Sequence, residues 1–233
     1  MGVLRVGFQG RFYFLIRNIL RMQAKYRYAV PDRSVFTEPA VYVCRHGDND
    51  GPIITMVNLP LPLHPWTYHV WCNEEACYRQ CMDYTFTVRY GWSPRKANFV
   101  ARLISKPFTL LIRSAGSIPV YRNSLKVRET FKETIEALKR GESILIFPDV
   151  DYTSTDGDAG ALYDGFLMLE RMYYKEMGRH LPFASLRIDD KEKKLLLGET
   201  ISFRDGIPFK EEKERVIRAL QDALNDGRGR QEG

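Results

Sequence analysis

Apolar residues fall in short runs separated by turn residues, and their spacing switches along the chain between a period of two and a helical period, the pattern of an alternating α/β chain. Ala40-Val41-Tyr42-Val43-Cys44 is an apolar, β-prone run that stops at Arg45-His46-Gly47, which predicts a buried strand handing polar residues to its C-terminal end. Ser143-Ile144-Leu145-Ile146-Phe147 is the clearest buried strand and ends in Pro148-Asp149, again polar at the end where open α/β sheets put their ligands. Ser117 to Tyr121 predicts another short strand, and further strands are expected near 183–188 and 194–203. Val127, Phe131, Ile135 and Leu138 recur at helical spacing until Gly141 stops the helix. Helices are also expected over about 161–177 and 210–224, and residues 96–114, interrupted by Pro107, predict two short amphipathic helices or one kinked one. Residues 58–66 hold three prolines, which argues for an irregular crossing segment instead of a central strand.

These elements predict an α/β fold: a single domain over residues 36–233, with a central mixed sheet flanked by helices, preceded by a basic amphipathic helical segment over residues 1–35. A chain of 233 residues that is 44% hydrophobic and 27% charged forms a packed core, which excludes disordered and fibrous classes. Cys44, Cys72, Cys77 and Cys81 are too few for a disulfide framework, no cleavable leader pattern opens the chain, and no apolar run reaches the ~18 residues a span needs, so a cytoplasmic protein is expected. Arg5, Arg11, Arg17, Arg21, Lys25, Arg27 and Arg33 stand against Asp32 alone in residues 1–35, so that segment carries the whole net charge of +6. The remainder is balanced, so no nucleic-acid partner is expected. Interleaving of these cations with Phe8, Phe12, Phe14, Ile16 and Ile19 suits the plane of an anionic membrane surface, a peripheral position on the inner face of the cell membrane. A terminal helix packed on the domain with its arginines solvated is the alternative, and one helix with two faces satisfies both.

Four features occur in order: Arg45-His46-Gly47-Asp48-Asn49-Asp50, then Gly116-Ser117-Ile118-Pro119-Val120-Tyr121-Arg122, then Ile146-Phe147-Pro148-Asp149, then Leu181-Pro182-Phe183 entering a strand. In this order and at these separations the chain resembles a divergent member of the glycerolipid acyltransferase family that includes the lysophosphatidate acyltransferases. The blocks of that family are His-x-x-x-x-Asp, Gly-x-Ile-x-x-x-Arg, Phe-Pro-Glu-Gly-Thr-Arg and a proline-containing strand. The resemblance covers roughly residues 38–205, and Gly165, Phe166 and Leu167 match the helix after the third block. Two departures stand out. The position after the four-residue spacer is Gly51, so the nearest carboxylates are Asp48 and Asp50. Asp149 takes the place of the glutamate, and Val150, Asp151 and Tyr152 stand where the family has Gly, Thr and Arg.

The resemblance implies transfer of a fatty acyl group from an acyl thioester donor, acyl-CoA or acyl carrier protein, to the hydroxyl of a lysophospholipid acceptor. It implies no cofactor, no metal and no covalent enzyme intermediate. Such a transfer needs a base for the alcohol proton, and an imidazole is suited to it, so His46 is the candidate base. A carboxylate on its other nitrogen fixes the tautomer and steadies the cation; Asp50, with Asp48 as the alternative, is the candidate. Arg122 offers a guanidinium fork to an acceptor phosphate, with Gly116, Ile118, Pro148 and Asp149 as the other candidate substrate-binding residues. His46 as a hydrogen-bonded turn residue and Arg122 as a surface ion pair are the structural alternatives. Cys72, Cys77 and Cys81 are spaced for one helix and not for a zinc knuckle, and His64 and His180 have no constellation around them. Two other functions remain in view: a catalytically silent lipid-binding relative, and a metallophosphoesterase suggested by Gly47-Asp48-Asn49-Asp50.

Overall fold

The computed structural model describes residues 9–23, 25–29, 38–47, 50–59, 61–121, 124–149 and 162–225. In chain order the elements are α1 (Arg11–Gln23), β1 (Arg27–Ala29), β2 (Val41–Cys44), α2 (Asp50–Asn58), β3 (Leu63–Tyr68), α3 (Glu74–Gln80), a π-helical turn (Cys81–Arg89), α4 (Pro94–Ser114), β4 (Ile118–Val120), α5 (Val127–Lys139), β5 (Ser143–Ile146), α6 (Met168–Met177), β6 (Phe183–Asp189), β7 (Lys194–Ile201) and α7 (Phe209–Asn225). Contacts divide the chain into two compact units, one of residues 1–19 and 64–133 and the other of residues 20–63 and 134–233. The boundary expected at residue 35 lies outside the described residues.

The second unit carries the α/β architecture expected from the apolar runs. Its strands lie in the order β1-β7-β6-β2-β5, with β6 and β7 antiparallel and the other neighbours parallel. Strand β2 is buried at every position because β5 and β6 flank it and helices cover both faces. One face, Ala40, Tyr42 and Cys44, packs with Leu145, Leu186, Leu195 and Leu197 and with Ile54 of α2. By alternation Val41, Val43, Ile144 and Phe183 face the other way. There Phe183 meets Phe166 and Phe203, and Phe203 stacks on Phe209 at the start of α7. Each such fully buried apolar side chain stabilises the fold by roughly 1.5–3 kcal/mol.

The first unit is helical, with one parallel strand pair. Phe86 at the π turn stacks on Trp92 at 4.6 Å, closing the turn between α3 and α4. Cys77 and Cys81 are buried free thiols packed with Ala97 and Ala101 of α4, as the four-residue spacing on one helical face requires. Strand β4 pairs with β3 in register Trp66↔Ile118. The N-terminus of α1 is fastened to the end of α4: the Gly10 N–H donates to the Ser114 carbonyl at 2.8 Å and the Tyr13 N–H to the Ser114 hydroxyl at 2.9 Å.

Two expectations need correction, and one open alternative is decided. Residues 63–68 form a strand despite Pro65, because the ladder to β4 begins only at Trp66 and asks nothing of the proline nitrogen. Of the two forms expected for 96–114 the structure has the single helix, which spans residues 94–114 and runs through Pro107. The lost bond falls between Pro107 and Leu103, both exposed, so the freed Leu103 carbonyl is on the solvent side of the helix. The helix expected from 161 begins at Met168, after a 3-10 turn over Asp164–Leu167. Helix α2 and strand β1 carry no pattern that marked them in advance.

Glu212 of α7 is buried and clamped by Arg215 at 2.7 Å, by Arg204 at 2.6 Å and by the Arg204 N–H at 2.9 Å. Hydrogen bonds from Arg215 and then Arg204 hold its carboxyl down at about 2, below the ordinary 4.5. A depressed folded value contributes stability that is complete above the unfolded value and fades as pH falls toward the folded one. Chemical denaturation should therefore show stability declining from about pH 4.5 down to about 2, and Glu212→Gln should flatten that decline while lowering stability at pH 7. An unchanged acid limb in the variant would refute the assignment.

Candidate functional site

The parallel register of β2 and β5 builds the site. Val43 stands beside Ile146, and the same offset carried three residues further along both chains sets His46 beside Asp149. The carboxylate of Asp149 completes what the register begins. Its Oδ2 accepts the His46 backbone N–H at 2.6 Å, and its Oδ1 accepts from Arg45 Nη1 at 3.1 Å. The other Arg45 amine, Nη2, donates to Asn225 Oδ1 at 3.3 Å, which ties the end of α7 to the same loop. Both side chains of this ion pair are largely shielded, so it is screened less than a surface pair. The Phe147 ring meets the His46 ring edge-on at 5.8 Å and limits its tilt.

The loop then turns sharply into α2. Gly47 takes φ of +50°, a conformation that favours glycine. The Gly51 N–H donates to the His46 carbonyl at 3.1 Å, so the first turn of α2 lies against the strand end. A Cβ at Gly51 would stand 2.3 Å from the Arg45 oxygen and 2.6 Å from the His46 oxygen. No side chain fits there without the backbone shifting. Asp50 opens α2; its side chain and the whole of Asp48 lie outside the described residues.

The third block continues the site on β5. The Tyr163 N–H donates to the Pro148 carbonyl at 2.7 Å, and Asp149 and Leu162 form an isolated antiparallel bridge, so the chain returns to the strand end it left. Val150, Asp151 and Tyr152 lie outside the described residues. The fourth block enters β6 beside β2, where the Val41 N–H donates to the Pro182 carbonyl at 2.9 Å.

Gly116 and Ile118, of the second block, belong to the first unit. Ile118 is buried in β4. The Gly116 carbonyl accepts from the buried ring of His64 at 2.7 Å, and since a carbonyl only accepts, His64 carries its proton on Nδ1. Arg122 lies outside the described residues.

Sequence reasoning missed three participants. Arg45 was seen only as a strand terminator, although the β2/β5 offset places it next to Pro148 and within reach of Asp149. His64 braces the second block, and nothing in its surroundings along the chain marks that. His180 bridges Glu170 at 2.5 Å and Asp205 at 3.1 Å; burial opposes the charged ring, but the two carboxylates outweigh it and raise its pKa, which makes it a structural clamp. Cys44 lies one residue before the loop, and burial pushes its thiol up to about 12, so it is not a nucleophile at neutral pH. Among the described residues no group of three or more His, Cys, Asp or Glu is arranged to hold a metal ion.

Asp149 is thus an anchor for the His46 backbone. Asp149→Ala should lower stability by roughly 1.5–3 kcal/mol in urea titrations, the range for hydrogen bonds to a charged group. A change below about 0.5 kcal/mol, the size of an ordinary surface substitution, would show the anchor to be unimportant.

No family model matches the sequence, and no curated protein matches it significantly. Among solved structures the fold is similar to the crystal structure of the 1-acyl-sn-glycerophosphate (LPA) acyltransferase PlsC from Thermotoga maritima. The TM-score is 0.54 at 13% sequence identity, over 94% of this chain and 79% of that one, which relates the two at the level of the fold.

Proposed function

We propose that the protein is a membrane-surface O-acyltransferase that moves a fatty acyl group from an acyl thioester, acyl-CoA or acyl carrier protein, to the free hydroxyl of a lysophospholipid such as 1-acylglycerol-3-phosphate. The observation that carries this reading is the His46 loop: an imidazole at the C-terminal edge of two adjacent parallel strands, on a backbone fastened by Asp149. The four ordered blocks and a fold like that of an LPA acyltransferase support it.

In this reading His46 takes the hydroxyl proton as the oxygen attacks the thioester carbonyl, and the tetrahedral intermediate then expels the thiolate, which recovers that proton from the imidazolium. Asp50, or Asp48 in its place, orients the ring and steadies its charge. Transfer is direct, in keeping with the inert Cys44 thiol, and it calls for no cofactor. Arg122 binds the acceptor phosphate. The protein works from the cytoplasmic side as a peripheral protein on the anionic inner face of the cell membrane. In support, Leu15, Ile19 and Met22 form an exposed apolar row on α1, interspersed with arginines.

One observation favours a second reading. Gly51 has no room for the carboxylate of the resembling family, which suits a lipid-binding relative without turnover. Incubation with labelled acyl donors and a panel of lysophospholipids and neutral glycerols, read by mass spectrometry, separates the two. Product is expected, and its absence with every donor would leave the binding reading.

His46→Ala should reduce turnover by about 100-fold or more while leaving circular dichroism unchanged, and Asp50→Asn by about 100-fold, with Asp48→Asn much milder. Full activity in His46→Ala would end the general-base mechanism. Arg122→Ala should raise the acceptor KM by about tenfold or more and leave the donor KM nearly unchanged, with Arg122→Lys recovering part of the loss. Equal rises for both substrates would make Arg122 structural.

A further inference from the structure

Helix α4 carries a second apolar row that does not face its core. Its buried positions are the small residues Ala97, Ala101, Ser105 and Thr109. Val100 and Ile104 pack beside them on the core, whereas three large apolar residues point to solvent: Phe99 is 71% exposed, Leu103 66% and Leu110 52%. At 3.6 residues per turn these three fall on one line, the face opposite the buried one. The inward face is already occupied by Cys77, Cys81 and Phe86 of the same unit, so the outward row has no core to fill.

The charge on this helix is one-sided. Its 21 residues include Arg95, Lys96, Arg102, Lys106 and Arg113 and no acid. Arg95, Arg102, Lys106 and Arg113 follow at intervals of seven, four and seven, so they make a second line directly beside the apolar one. Arg102 donates to the neutral Asn98 side chain and Arg113 to the Cys72 carbonyl. Lys96 sits over the Trp92 ring at 4.0 Å. Among the described residues no ion pair engages any of the five, so no described acid neutralises their charge.

We propose that the outward face of α4 is a docking surface for an anionic lipid bilayer, with Phe99, Leu103 and Leu110 entering the headgroup boundary and Arg95, Arg102, Lys106 and Arg113 meeting lipid phosphates. Complementarity selects this occupant. A nucleic-acid groove would use the cations and leave the apolar row in water, and an apolar protein partner would have to bury four unpaired cations beside it. A bilayer interface accommodates both lines at once, since the long basic side chains reach up to the phosphates while the apolar row sits below them. Helix α1, whose own exposed row is apolar, is fastened to the C-terminal end of this helix through Ser114. The surface goes beyond the proposed chemistry and does not depend on it.

The test is co-sedimentation of the full chain with vesicles of phosphatidylcholine alone or mixed with phosphatidylglycerol, at low and high salt and without substrate. The wild type should bind the anionic vesicles and lose binding as salt rises. Phe99→Ser/Leu103→Ser and Arg102→Glu/Lys106→Glu should each weaken that binding by about tenfold or more, with unchanged circular dichroism because every altered residue is exposed. Undiminished binding by either variant overturns the proposal. So does a wild type that sediments as a dimer and becomes a monomer in Phe99→Ser/Leu103→Ser, which would make a second copy of the chain the true occupant. Turnover is not read, so failure here leaves the acyltransferase reading intact, and loss of turnover in His46→Ala leaves this one intact.

Discussion

The candidate site depends on the lateral pairing of β2 with β5. Two parallel strands in register end at the same edge of the sheet, so the residue that follows one is delivered beside the residue that follows the other. That geometry sets the His46 loop and Asp149 together without help from side chains. The Asp149 carboxylate then makes the placement rigid by accepting from the His46 N–H and from Arg45, and Arg45 extends the tie to the end of α7. Buried β2, packed on both faces, is what keeps that register from slipping.

The same tight approach crowds Gly51. Helix α2 begins directly against the strand end, and the space a side chain would need is taken by the carbonyls of Arg45 and His46. Asp50, the first residue of α2, is the carboxylate-bearing residue next to Gly51 in the chain.

The helical unit follows a different rule. Small residues on the inner face of α4 let it approach α3 and the π turn closely, and Phe86 stacked on Trp92 closes the connection. Phe99, Leu103 and Leu110 stand on the outside of the helix, among cations. An exposed apolar row of this kind is a property of the packing, since the same residues read along the chain pass for an ordinary amphipathic helix with its apolar side inward.

Much of the second unit was legible in the sequence, because β2, β5, β6 and β7 are apolar runs bounded by turn residues and their positions need only local periodicity. The strand-end placement of His46 and Asp149 was legible for the same reason. Elements without a strong period were not: β1 has three residues, α2 begins Asp-Gly-Pro, and Pro65 hides a strand whose ladder starts one residue later. What the sequence by itself determined is that His46 and Asp149 follow the ends of two buried strands. Only the tertiary structure decided that Asp149 anchors His46, that His64 braces Gly116, that Gly51 admits no side chain, and which face of α4 looks outward. Each of these is a contact between residues far apart along the chain, set by strand register and helix packing, and local periodicity carries no record of either.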